Sequence, residues 1–276
     1  MNDIVYKYLL PDEVDVLDNP GSSIEEKNEI IRKYNNILRI ISTYVPRNIL
    51  LAKVRNVNDV SYDGRFIQGT LVFVDVNGFT PLTEALNKHG NEGSEEITKI
   101  LNNFFKVMIE AIFKYNGILL KFGGDAMMIF FSSERDFSGE DHLWEALSCA
   151  YEIREKMVEF FTVKSKFGDF SLHISIAIHT NTFYEISVGD PLIYKEHILI
   201  GAPVEKTAML ETYAGQDEII LDEETFNLIK DKIKSHYMVS GCFAVKEMIK
   251  KDLPPVTESP IKIDYVILKS NYKHHG

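Results

Sequence analysis

The stretch LVFVDVNGFT, residues 71–80, places an acidic residue at the end of an apolar run. Residues 70–76 are mostly β-branched or aromatic and apolar on both faces, which predicts a central strand. An ionised carboxylate such as that of Asp75 is costly to bury unless it is paired or binds a metal ion. The letters NGFT predict a turn into a helix, whose first backbone N–H groups form an anion site. This stretch therefore predicts a strand that ends in a polar site.

A second acidic residue lies in a predicted hairpin. Residues 118–131, ILLKFGGDAMMIFF, are two apolar runs around a Gly-Gly-Asp turn that contains Asp125. If this hairpin pairs with the first strand, Asp75 and Asp125 lie close together and need a shared proton or a cation. Carboxylates and substrate phosphates together hold Mg²⁺, and two such ions can clamp a phosphoryl displacement. The alternative is that Asp75 caps the next helix and Asp125 is an ordinary turn residue.

Helical and strand patterns alternate along the rest of the chain. Helices are predicted over residues 23–44, 79–90, 93–117, 141–161, 202–215 and 223–233. Further strands are predicted over residues 171–180, 183–190, 194–201 and 217–222. This order predicts an α+β sandwich, a mixed sheet with helices on one face. The core domain is predicted to span residues 65–235, between an N-terminal extension, 1–64, with an amphipathic helix and a C-terminal extension, 236–276.

The composition limits the classes of function. The 276 residues carry a net charge of −11, whereas a nucleic-acid binder of general specificity needs a positive surface, so no nucleic-acid partner is expected. No apolar run reaches the length of about 18 residues that spans a membrane, and no secretory signal opens the chain. We therefore expect a cytoplasmic protein without a membrane partner. Cys149 and Cys242 are too few for a disulfide framework or a zinc site.

Two motifs together identify a family resemblance. FVDVNGFTPLTEAL, residues 73–86, followed by GILLKFGGDAMMIFF, residues 117–131, resembles the class III adenylyl and guanylyl cyclase catalytic domain. The resemblance is closest to the first cyclase domain of soluble, bicarbonate-responsive adenylyl cyclases, and it covers roughly residues 65–225. It implies a ferredoxin-like α+β sandwich with a mixed, mainly antiparallel sheet. It also implies head-to-tail pairing of two cyclase domains, with the nucleotide bound between them.

The resemblance also implies the chemistry and the residues that perform it. Two Mg²⁺ or Mn²⁺ ions would bind Asp75, Asp125 and the backbone of Val76. The triphosphate would be held by residues of the strand–helix turn, namely Val76, Asn77, Gly78, Phe79 and Thr80. The ribose 3′-hydroxyl of a nucleoside triphosphate, with ATP favoured, would attack the α-phosphate. The products would be a 3′,5′-cyclic nucleotide, cAMP in the case of ATP, and pyrophosphate.

Lys121 matches the family's base-recognising lysine, which precedes the second metal-binding aspartate. The alternative is a lysine that extends from a strand end into solvent. Other positions depart from the family. The asparagine and the arginine that the partner half supplies to the transition state fall on Glu205 and Met209, and Ile198 replaces a second base-contacting polar residue. Lys206 is nearby, but an ammonium group does not reproduce a planar guanidinium fork.

The resemblance and these departures together predict a metal-donating half of a dimer, which needs a second, complementary cyclase domain. In such a heterodimer Lys121 would face a second, degenerate pocket that can house an effector such as bicarbonate. One alternative is a diguanylate cyclase, which has a similar Gly-Gly-Asp turn, although Ala126 stands where an acidic residue usually follows. The other alternative is a catalytically silent cyclase fold that binds a nucleotide or a partner in signal transduction.

Overall fold

The computed structural model describes residues 9–42, 64–134, 141–190 and 194–249. The chain divides into two compact units, one formed by residues 1–56 and 257–276 and the other by residues 57–256. Residues 43–63 and 250–276, where parts of both predicted extensions fall, lie outside the described residues. Among the helices that are described, none is long and apolar enough to cross a membrane.

The first unit contributes two described helices, α1 (Pro11–Asp18) and α2 (Ile24–Ser42). Ser23 and Glu26 form a reciprocal cap at the start of α2, since each side chain accepts a hydrogen bond from the other residue's backbone N–H. The carboxylate of Glu13 on α1 contacts two side chains of α2, those of Lys33 and Tyr34. The predicted amphipathic helix is therefore present, and its last two predicted residues, 43–44, lie outside the described part.

The second unit is an α+β fold. Its helices are α3 (Phe79–Asn87), α4 (Gly90–Lys114), α5 (Asp141–Lys156), α6 (Ala202–Glu211) and α7 (Glu223–Ile229). Its strands are β1 (Arg65–Asn77), β2 (Ile118–Gly123), β3 (Ala126–Ser132), β4 (Val163–Ser165), β5 (Gly168–Phe170), β6 (His173–Asp190), β7 (Tyr194–Ile200), β8 (Glu218–Asp222), β9 (Ile233–Tyr237) and β10 (Cys242–Met248).

Eight of the described strands form one mixed sheet. Seven of them follow the order β2-β3-β1-β6-β8-β10-β9, and β7 pairs with the far end of β6. All neighbours are antiparallel except β6 and β8, which are parallel. The predicted mixed, mainly antiparallel sheet is therefore confirmed. Strands β9 and β10 extend this sheet past residue 235, where the sequence predicted the end of the domain.

Strand β6 is one continuous strand of 18 residues, whereas the sequence predicted two, over 171–180 and 183–190. The prediction of a break at Asn181 and Thr182 was wrong because both residues pair with β1, opposite Gly69 and Gln68. Continuous pairing with a long neighbour overrides the weak strand preference of a polar pair.

Helices cover both faces of the sheet, so the prediction of helices on one face was wrong. Most of them pack on the face that carries Val72, Val74 and Ile176, with core residues from α3, α4, α5 and α7, among them Leu82, Phe104, Leu147 and Ile229. Helix α6 packs on the opposite face, where Leu210 joins a cluster with Ala177 and Ile220. A central strand that is apolar on both faces, as β1 is, requires this double cover.

Candidate active site

The candidate site begins at Asp75, near the end of β1. Side chains alternate along a strand, so Val74 and Val76 enter the main core while Asp75 points to the face that α6 covers. Asp75 is half-buried there. Its burial raises the pKa of this carboxyl group, and the nearby negative charge of Asp125 raises it further, against a backbone hydrogen bond from Val76.

The hairpin of β2 and β3 brings Asp125 to the same place. Asp125 follows Gly124 in the two-residue turn between these strands, and β3 lies antiparallel to β1 with Met127 opposite Val74. The turn therefore reaches the end of β1 that carries Asp75, where the negative charge of Asp125 contributes to the raised pKa of Asp75. Two carboxylates that are partly removed from water and close together favour binding of a cation between them.

The turn after Asp75 has the geometry of an anion site. Gly78 adopts φ +96°, a left-handed conformation that glycine tolerates, and helix α3 starts at the next residue, Phe79. No side chain caps α3, so its first N–H groups remain available to a ligand. Asn77 and Phe79 are half-buried and Thr80 is exposed beside this helix end. The side chain of Val76 is in the core, so that only its backbone faces the site.

Gly78→Ala is expected to destabilise this turn strongly. A Cβ at residue 78 would lie 2.2 Å from the carbonyl oxygen of Ser171, and φ is in the left-handed region as well. The free energy of unfolding should fall by about 2–4 kcal/mol, measured by urea denaturation. Gly90→Ala is the matched control, because φ there is +61° with no atom within 4 Å, and it should lose only about 1 kcal/mol. Equal losses in the two variants would contradict the steric argument.

Lys121 lies on β2 with 63% of its side chain exposed. Its ammonium is 3.5 Å from Oε1 of Glu196 on β7, a surface ion pair of small net stability. Such a weak pair leaves the lysine able to exchange Glu196 for a ligand.

Helix α6 exposes to solvent the two residues that replace the family's asparagine and arginine. Glu205 and Met209 are one turn apart on its outer face, and Met209 is 57% exposed. Thr207 and Leu210 face the sheet instead and are buried. Ile198 is half-buried on β7, just before the helix. The outer face of α6 thus offers a carboxylate and a thioether, neither of which can neutralise the charge of a phosphoryl group.

The known family that fits this fold and site also matches the sequence. The adenylate and guanylate cyclase catalytic domain family matches residues 62–253. The chain belongs to this family. The predicted class III cyclase resemblance is therefore confirmed, and the match favours it over the diguanylate cyclase alternative.

Individual cyclases show the same similarity. Adenylate cyclase type 10 of the rabbit Oryctolagus cuniculus is 26% identical over 171 residues, or 59% of this chain and 10% of that protein. The chain thus spans about a tenth of the length of this relative. The adenylyl cyclase CyaB of P. aeruginosa shares the fold with a TM-score of 0.56 and 24% identity, over 70% of this chain and 100% of that structure. A dimeric guanylyl cyclase domain from Blastocladiella emersonii also shares the fold, with a TM-score of 0.56 and 18% identity over 68% of this chain and 99% of that structure.

Beneath α6 the cyclase domain contains a buried polar network that the sequence did not reveal. His179 on β6 is fully buried, and its Nδ1 is 3.1 Å from Oδ1 of Asp222 at the end of β8. Asn181 accepts the N–H of Thr182 with its oxygen, so its amide N–H group faces Nε2 of the histidine. The histidine therefore donates its Nδ1 hydrogen to Asp222. These partners lie 43 residues apart, so no local spacing could have indicated them.

Lys206 completes this network and is thereby held away from the outer face of α6. Its ammonium lies 2.7 Å from Oδ2 of Asp222 and 3.0 Å from Oε2 of Glu224. Ligand atoms of His179, Asp222 and Glu224 all lie within 4.8 Å of one another, a spacing that could hold a metal ion. The lysine ammonium already supplies a cation to both carboxylates. This group is also distinct from the Asp75 and Asp125 pair.

The network sets the ionisation of Asp222. Burial alone would raise the pKa of this carboxyl group, but the hydrogen bonds from His179 and Thr225 and the ammonium of Lys206 outweigh burial and hold the pKa well below its ordinary value. A carboxylate with a lowered folded-state pKa stabilises the fold fully above its unfolded pKa of about 4. This contribution is lost as the pH falls from about 4 towards the folded-state pKa.

Lys206→Met is expected to lower the free energy of unfolding by about 2 kcal/mol at pH 7. The change leaves the carboxylate of Asp222, 5% exposed, without its ammonium partner, although His179 still contacts it. The measurement is urea denaturation at pH 7 and pH 3, where the difference from the wild type should shrink. Glu224→Gln removes only the exposed partner of Lys206 and should change stability by less than about 0.5 kcal/mol. A Lys206→Met protein as stable as this control would argue against the network.

Proposed function

We propose that the second unit is a nucleotidyl cyclase domain that converts a nucleoside triphosphate, with ATP favoured, into a 3′,5′-cyclic nucleotide and pyrophosphate. One observation carries the proposal: the pairing of β3 with β1 brings Asp125 beside Asp75, next to the uncapped start of α3. Paired carboxylates next to free backbone N–H groups suit a metal ion that carries phosphates. The similarity to adenylate cyclase type 10 supports the choice of ATP.

Each residue of the site has a defined role in this proposal. Asp75, Asp125 and the carbonyl of Val76 hold the ions, and the first N–H groups of α3 orient the triphosphate. When bound, two Mg²⁺ or Mn²⁺ ions supply the positive charge that in-line phosphoryl transfer requires. The half-buried carboxylates fit such ions, because they repel each other in the absence of a cation. The contribution of the chain is then positioning and charge compensation.

We further propose that this domain is the metal-donating half of a heterodimer. Glu205 and Met209 stand on the outer face of α6, where the family provides an asparagine and an arginine to the opposite site. A complementary cyclase domain would supply those two groups. Lys121, exposed on β2, would then face the second pocket, which suits an anionic effector such as bicarbonate.

The test measures nucleotide binding and cyclisation with the purified full chain. Fluorescent analogues of ATP, GTP, CTP and UTP are titrated with and without Mn²⁺, and cyclic product is then quantified for each natural nucleotide. The expected result is Mn²⁺-dependent binding with little turnover by the chain alone. Absence of Mn²⁺-dependent binding would overturn the proposal. High turnover by the wild type alone would overturn the heterodimer.

The second candidate function is a signalling module without catalysis. The residues at positions 205 and 209 favour it, since neither can stabilise a phosphoryl transition state. This module would bind a partner through α6 and remain inactive even when an asparagine and an arginine are supplied. The two candidates therefore differ in one measurable outcome, the response to those two residues.

A further inference from the structure

Ser175 is the residue next to Asp75 on the same face of the sheet. The two residues are directly opposite each other in the antiparallel pairing of β1 with β6. Opposite side chains in such a pair share a face, with Cβ atoms about 5 Å apart. Ser175 is 2% exposed, so its hydroxyl group requires a partner within the protein.

Two side chains satisfy this hydroxyl group. Its oxygen lies 2.5 Å from Oε1 of Glu211, the last residue of α6, to which it donates its hydrogen. The same oxygen accepts a longer hydrogen bond, 3.4 Å, from the amide nitrogen of Asn77. Ser175 has a single hydrogen, which the carboxylate of Glu211 takes in a charge-assisted bond. A chain of hydrogen bonds thus runs from the turn after Asp75 to the end of α6.

A second set of hydrogen bonds connects the segment after α6 to the same end of β6. Asp217 accepts the backbone N–H of Ile174 at 3.2 Å, and its other oxygen is 2.7 Å from Nδ1 of His173. His173 lies directly opposite Asn77 in the β1–β6 pairing. Both ends of the 211–217 segment are therefore attached to the residues that face Asp75 and Asn77.

We propose that Ser175 and Glu211 are positioning residues of the metal and phosphate site. They hold the Asp75–Gly78 turn in place and connect it to α6, the helix that carries Glu205 and Met209 on its outer face. A partner that docks on that face thereby acts on the helix whose last residue fixes the turn. This inference rests on the proposed function, because it assigns the two residues to the same site. Groups that orient metal ligands in this way typically change metal affinity by about 10-fold or more.

The test uses Ser175→Ala, Glu211→Ala and the double variant in the full chain, with Mn²⁺-dependent binding of a fluorescent ATP analogue as the readout. Each single variant should bind about 10-fold more weakly than the wild type. The double variant should be no weaker than the weaker single variant, because each change already breaks the contact between Ser175 and Glu211. Glu211→Gln keeps an oxygen that can accept the hydrogen of Ser175 and should stay within about 3-fold. Glu95→Gln, exposed on α4, is the control for loss of a charge and should bind as the wild type does.

Three results would overturn this inference alone. The first is wild-type affinity in both alanine variants while Asp75→Asn abolishes binding, which leaves the proposed function standing. The second is a double variant whose loss is the sum of the single losses. The third is a Glu211→Gln variant as weak as Glu211→Ala, which would assign the effect to charge rather than to the hydrogen bond. Thermal melting tests whether each variant is folded. If Glu211→Ala does not fold, Ser175→Ala and Glu211→Gln still decide the question. A wild type without Mn²⁺-dependent binding overturns both proposals.

Discussion

Asp75→Asn is expected to raise the melting temperature of the metal-free protein and to abolish the proposed Mn²⁺-dependent nucleotide binding. The carboxyl pKa of Asp75 is raised in the folded state, so the charged form is disfavoured there. Above that pKa the ionised group lowers the stability of the fold, and an uncharged amide of the same shape relieves this effect. The same change removes a proposed metal ligand. Nucleotide affinity in Mn²⁺ should fall by at least about 100-fold, since a metal contact is worth several kcal/mol.

The measurement is a pair of thermal melts, with EDTA and with Mn²⁺ plus nucleotide. The wild type should gain stability from the ligands, whereas Asp75→Asn should start higher and gain nothing. Asp169→Asn, at an exposed position on β5, controls for the removal of one negative charge and should follow the wild type in both conditions. A lower melting temperature for Asp75→Asn in EDTA would show that the carboxylate is structural, as the helix-cap alternative requires.

Glu205→Asn combined with Met209→Arg is expected to raise the rate of cyclic nucleotide formation strongly. Both positions are exposed and one turn apart on α6, so the substitutions require no repacking of the core. They restore the two groups that the family supplies to the opposite site. Single donors of this kind change turnover by about 100- to 1000-fold, so an increase of at least about 100-fold is expected in Mn²⁺. The readout is the rate of cyclic nucleotide formation.

Two comparisons make this prediction specific. Glu205→Asn with Met209→Lys supplies the charge without the planar fork and should gain much less. The triple variant Asp75→Asn, Glu205→Asn, Met209→Arg should be inactive alone but active when mixed with the wild type, because one protomer then supplies the ions and the other the transition-state clamp. If the double variant gains no activity, the signalling-module function is favoured over the enzyme.

The fold and the candidate site were predictable to different extents. The strand–turn–helix around Asp75 and the hairpin around Asp125 follow from local periodicity and from glycine positions, which physical chemistry links to short-range structure. The same motifs identified the family, and they suggested that the hairpin pairs with the first strand and brings the two residues together. Alignment with the family's motif also showed that Glu205 and Met209 stand where the family has an asparagine and an arginine. These features depend on neighbours within a few residues.

Other features were decided only by the tertiary structure, because they depend on contacts between residues that are distant in the sequence. Helix α6 lies on the second face of the sheet, β6 continues through Asn181 and Thr182, and Lys206 is bound by Asp222 and Glu224. The contact of Ser175 with Glu211 joins residues 36 positions apart. Each of these outcomes is set by which side chains meet in the packed sheet, and hydrogen-bond partners that are chosen at long range leave no periodic signal in the chain.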